Sequence, residues 1–154
     1  MSMGRWIVVA IIGITILFAA GMWYAQTRAY YGRIDSADLV VTTPTGEVLP
    51  LSHSGFQGVD ADTSPLRFRA CFTLDEAGMA TIARAATHPD AEPLVAPAWF
   101  DCYDARALSE AIEMSEARPV MSMHEIARGV DRVFAVFPDG RGYAWHQLNG
   151  TLEE

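Results

Sequence analysis

DRVFAVFPDGRGYAWHQL, residues 131–148, carries the clearest architectural signal in the chain. Two runs rich in β-branched and aromatic residues flank Pro138-Asp139-Gly140, a turn tripeptide that closes a hairpin. Side chains alternate between the two faces of a strand. Val133, Ala135 and Phe137 therefore share one face, and Phe134 with Val136 the other. Both faces are apolar. A strand with one face in water alternates apolar with polar residues, so this one belongs inside a sheet covered on both sides.

Upstream, LRFRACF (Leu66 to Phe72) alternates strictly and predicts a second strand. Leu66, Phe68, Ala70 and Phe72 face one way, and Arg67, Arg69 and Cys71 the other. Leu39 to Thr42 and Glu47 to Leu51, joined by Pro44-Thr45-Gly46, predict a hairpin. Ser52 to Pro65 reads as a turn-rich loop. Thr73 and Glu76 form a capping box that opens a helix with Met79, Ile82, Ala83 and Ala86 as its buried stripe. A second helix is expected from Asp101 to about Ala117, before Pro119, with Leu108, Ala111, Ile112 and Ser115 facing inward. Ser122 and Glu125 suggest a third, short helix ended by Gly129. The proline-rich segment THPDAEPLVAPAWF reads as an ordered loop because of Leu94, Val95, Trp99 and Phe100. The expectation is an α+β domain over residues 34–154, with a largely antiparallel sheet and two to three helices.

Before it lies WIVVAIIGITILFAAGMWY, Trp6 to Tyr24, without a charge. As a helix it is about 28 Å long, close to the roughly 30 Å of a bilayer's hydrocarbon core. Trp6 at one end and Trp23 with Tyr24 at the other suit the headgroup level, so membrane lipid is the expected partner of residues 6–24. Residues 1–33 read as this anchor plus a solvated helical stub. A cleaved signal peptide is the rival reading, but the apolar run exceeds the usual length and ends in bulky rings. Arg5 and the amino terminus before the span nearly balance Arg28 and Arg33 after it. The expected arrangement is a single-pass inner-membrane protein with a periplasmic C-terminal domain.

All 19 acidic residues lie at or after Asp35, against eight arginines from Arg67 onward. So acidic a domain repels phosphate backbones, and no nucleic-acid partner is expected. The chain has no lysine, which excludes Schiff-base chemistry and a P-loop. His53, His88, His124 and His146 are scattered and no CxxC occurs, so neither a metal nor another cofactor is expected. Asp60-Ala-Asp62-Thr63-Ser64 lacks the glycine and glutamate of an EF-hand loop and the preceding buried strand of a phosphatase, leaving a turn. No GxSxG stands around a serine. Cys71 on a strand and Cys102 at the start of a helix leave three readings open: a disulfide, two reduced structural thiols, or a redox-active pair.

GVDADTSPLRFRACF (Gly58–Phe72), EPLVAPAWFDCYDA (Glu92–Ala105) and GVDRVFAVFPDGRGYAWHQLN (Gly129–Asn149), together with the anchor, resemble an uncharacterised family of short single-pass bacterial membrane proteins. The resemblance implies no activity, substrate or site residue. The leading functional expectation is a membrane-anchored interaction or accessory module, partnered by a larger membrane assembly and not an enzyme. The alternatives are a thiol- or redox-linked protein using Cys71 and Cys102, and a ligand-binding sensor domain.

Overall fold

The computed structural model describes residues 2–153. Helix α1 (Met3–Tyr24) runs on through a π-helical turn over Ala25–Ala29 into β1 (Gly32–Ile34). Then come β2 (Val40–Thr42), β3 (Val48–Pro50), β4 (Ser54–Asp60), β5 (Arg69–Thr73), α2 (Glu76–Ala83), α3 (Ala105–Glu113), β6 (Arg118–Ala127), β7 (Val130–Val136) and β8 (Arg141–Leu148). Six strands form one antiparallel sheet in the order β1-β4-β5-β8-β7-β6, and β2 with β3 makes a separate hairpin. The class is α+β.

The two-sided burial expected of β7 is found. Phe134 and Val136 enter a core with Phe68, Ala70, Phe72, Val120 and Ala144, beneath the β2–β3 hairpin (Leu39, Val41) and α2 (Ile82). Val133 and Ala135 enter the opposite core with Val59, Cys71 and Trp145, beneath Phe100, Tyr103 and the Leu108–Ala111 face of α3. The alternation read in LRFRACF also holds: Phe68, Ala70 and Phe72 lie in the first core and Cys71 in the second. The strand proper begins later, since Pro65–Arg67 is a 3-10 turn. Between β7 and β8, Gly140 has φ 92° and a Cβ there would sit 2.8 Å from the Leu74 carbonyl oxygen. Backbone conformation and close approach both demand glycine.

Several local expectations are corrected. Residues 122–129 are not a helix; Ser122 and Glu125 lie in β6. The Ser122 hydroxyl donates to the Val40 carbonyl (2.6 Å), and its own carbonyl accepts from Thr42 Oγ1 (2.8 Å), so the serine ties the hairpin to the sheet. Glu125 sits in the left-handed region (φ 52°) at a bulge. The cap of α2 is Asp75, whose Oδ1 accepts from the Gly78 N–H (2.7 Å), while Thr73 stays in β5. Ala83 is exposed and Ala86 half-buried, which narrows the expected stripe to Ile82 and Met79. Helix α3 starts at Ala105 behind the cap Asp104, and ends before Ser115, which is exposed with φ 61°. The expected loop 52–65 contains β4. Its glycines hid it; Gly58 is tightly enclosed, since a Cβ there would lie 2.6 Å from Ile34 Cγ1 and force that side chain to shift.

Candidate functional site

Cys71 and Cys102 are joined in a disulfide, with Cα atoms 6.3 Å apart. That separation lies inside the range a bridge can span. Cys71 is on β5, only 8 % exposed. Cys102 is half-buried in the turn before α3, two residues ahead of the cap Asp104, and not at the helix start as expected. The bond therefore staples the loop over the second core to the middle of the sheet.

A second clamp holds the same loop. Arg69 is 3 % exposed and donates to four backbone carbonyls: Leu66 (2.7 Å), Phe68 (2.6 Å), Leu94 (2.8 Å) and Val95 (3.1 Å). Burial pushes its pKa down, but a guanidinium stays charged in any case. The carbonyls of Leu94 and Val95 explain why a loop with three prolines is ordered.

The loop also holds the end of the domain that adjoins α1. Trp99 Nε1 donates to the Thr27 carbonyl in the π-turn that prolongs α1. The Arg33 guanidinium lies over the Trp99 ring, 5.1 Å from its centroid, and Arg67 lies 5.6 Å and 5.3 Å from the ring centroids of Tyr30 and Tyr31. With Gly32–Ile34 paired to Gly58–Asp60, the stub is docked, in contrast to the solvated helix expected. Trp6, Trp23 and Tyr24, the expected anchor residues, are all exposed, and no residue of α1 is buried. The apolar helix, Met3–Ala29, is long and apolar enough to cross a membrane or to be a signal sequence.

Asp131 is among the buried polar groups that serve the structure. Asp131 Oδ1 accepts from the Glu125 N–H (2.9 Å), Asn149 Nδ2 (2.9 Å) and His124 Nδ1 (2.9 Å). Burial pushes this carboxyl up, but the donors outweigh it and the net pKa shift is downward. The cluster secures the β6 bulge. His88 Nε2 stands 3.9 Å from the same carboxylate, beyond hydrogen-bond reach, and burial favours its neutral ring. Among the described residues no group of three His, Cys, Asp or Glu could hold a metal ion. A mostly apolar cleft of about 260 Å³ opens between α2 and the end of β7, lined by Met79, Ile82, Arg118 and Phe137 among others. It is smaller than the roughly 300–1,000 Å³ usual for ligand sites.

His146 gives a pH prediction. Its Nε2 accepts from Arg132 Nε (3.0 Å), which leaves Nδ1 to donate to the Pro65 carbonyl (2.6 Å). Burial, with Arg132 and Arg69 nearby, pushes its pKa from 6.5 down to about 4. Below 6.5 the unfolded chain takes up a proton that the folded chain refuses until about 4. Stability is therefore complete above that window and falls on acidification through it. The melting temperature should drop as pH is lowered over this range, with a shallower slope in His146→Gln. An unchanged slope assigns the dependence to other groups.

These features define a small disulfide-stapled α+β domain docked on a long apolar helix. Residues 39–154 match a family of unknown function (DUF6446), and the chain belongs to that family. No curated protein and no solved structure matches the chain. Sequence reading singled out the cysteines and the anchor rings, but missed Trp99, Arg28, Arg33 and Arg67 as a group. The available signal was Arg28 and Arg33 close behind the apolar stretch.

Proposed function

We propose that this chain is a single-pass bacterial inner-membrane protein whose periplasmic domain serves a larger membrane assembly as an interaction or accessory module. The observation that carries the reading is the continuity between helix and domain. An apolar helix exposed on every side, with Leu17 at 75 % and Ile14 at 67 %, needs an apolar phase around it. The Trp99–Thr27 bond and the β1–β4 pairing join that helix to the sheet, a joint that signal cleavage near Tyr24 would cut away from its anchor. The disulfide supports the periplasmic side, where such bonds persist. The accessory role is supported by the use made of the buried polar side chains: Arg69, Asp131 and His146 all serve to hold loops and strands.

One membrane preparation tests both halves. Washing with alkaline carbonate should leave the full-length chain in the pellet. Mild detergent should then release it from unwashed membranes in a complex larger than the lone chain, with the same companion in repeated preparations. A soluble form shortened by about twenty residues overturns the anchor. A chain that migrates alone overturns the accessory role.

A further inference from the structure

The membrane-side end of the domain concentrates cations that no carboxylate answers. Among the described residues, Arg28, Arg33 and Arg67 form no salt bridge, whereas Arg84, Arg106 and Arg141 each pair with a carboxylate. Arg28, Tyr31, Arg33 and Trp99 line a polar cleft of about 440 Å³. No acidic residue lines it, on a domain that is otherwise strongly acidic.

Each arginine has a structural reading. Arg28 sits in the last helical turn, where a cation favours the helix dipole. Arg33 is a cation–π partner of Trp99. Neither reading uses the N–H edges. No Arg28 or Arg33 side-chain N–H has a hydrogen-bond partner among the described residues, which leaves these donors for the bidentate geometry that a phosphate accepts. The platform is fixed, because the indole N–H is tied to Thr27. Next to the cleft, across the Tyr31 ring, Arg67 Nη1 is buried without a hydrogen-bond partner. Buried donors rarely go unpaired.

Depth supplies the ligand. Trp23 and Tyr24 mark the headgroup level by their chemistry. Arg28 lies four residues beyond Tyr24, about 6 Å further along a helix, inside a headgroup layer of similar thickness. We propose that the cleft binds the phosphodiester of an anionic phospholipid headgroup, with Arg28 and Arg33 as its ligands and Trp99 as the platform. Free phosphate has the same chemistry; the membrane helix forming one wall favours the lipid. The assignment rests on the retained anchor proposed above.

The full chain is placed in vesicles of equal parts phosphatidylglycerol and phosphatidylcholine, and the lipids that stay bound are counted by native mass spectrometry. Phosphatidylglycerol should be enriched, and the enrichment should fall about fivefold for each arginine removed in Arg28→Gln and Arg28→Gln/Arg33→Gln. Arg84→Gln/Arg141→Gln, a charge-matched control at exposed paired sites, should keep it. If the Arg33 change unsettles the domain, shown by a lowered melting temperature, Arg28→Gln alone decides, since its side chain has no hydrogen-bond partner among the described residues. Equal binding of both lipids, or enrichment that survives the double variant, overturns the proposal. So does inorganic phosphate that raises the melting temperature of the lipid-free chain, but not of the double variant, while vesicles show no preference. Loss of the chain from carbonate-washed vesicles overturns the anchor and this proposal together; full retention without headgroup preference overturns this proposal alone.

Discussion

Phe134→Ala lowers the unfolding free energy of the domain by about 3–5 kcal/mol, the cost of removing a ring from a packed core. Phe134 has no exposed surface, and its ring meets Phe72 edge-to-face with centroids 5.4 Å apart. Its cross-strand partners are Ala144 on β8 and Val120 on β6, both too small to fill the space left. The aromatic pair adds about 0.5–1.5 kcal/mol beyond area burial. For a domain of this size the melting temperature should fall by about 10–20 °C, read by circular dichroism of the full chain in mild detergent. Phe137→Ala provides the contrast: its ring is only half-buried beside Tyr143, so the loss should be smaller. An equal loss at both positions would show that the difference in burial between Phe134 and Phe137 does not set the cost.

The strands with two apolar faces were the legible part of this fold. Val133 to Phe137 can be satisfied only by cover on both sides, and that requirement does not depend on knowing the neighbours. Strand β6 was hidden for the opposite reason. Ser-x-x-Glu is a helix signature only if the serine caps its own backbone, and Ser122 bonds instead to Val40, 82 residues away. Strand β4 carries two glycines and one fully buried side chain, Val59, so its place is set by the backbones of β1 and β5.

The site was less legible than the fold. Two cysteines 31 positions apart announce a bridge only once a compartment is assumed. Trp99 looked like a core aromatic among prolines; its bond to Thr27 spans 72 residues and leaves no local trace. Arg69 looked like one polar residue in an alternating strand. Two of its four carbonyl acceptors, Leu66 and Phe68, are local, but Leu94 and Val95 come from a loop 25 and 26 residues away, and only the fold brings them within reach.

Replacing both cysteines, Cys71→Ala with Cys102→Ala, should cost about 3–4 kcal/mol by the entropy of a loop of this length. The expected readout is a melting temperature about 10 °C or more below that of the parent chain in the same detergent. Alanine is chosen because Cys71 is buried among Phe100, Tyr103 and Trp145, where a serine hydroxyl would need a partner. Loss of packing at Cys71 must be separated from loss of the bridge. Reducing the parent chain with a strong dithiol removes only the bond, so it should reproduce most of the drop, while the double variant should not respond. Maleimide should label neither cysteine in denatured parent protein unless reductant comes first. The same experiment weighs the redox alternative. An exchanging pair must present a sulfur to an attacking thiolate, and the buried Cys71 offers little access. Glutathione buffer should therefore leave the bond intact while the domain is folded and open it after denaturation. Rapid reduction of the folded chain would favour thiol exchange as the function of the pair. Free thiols trapped at harvest would remove the bridge and move the domain to a reducing compartment.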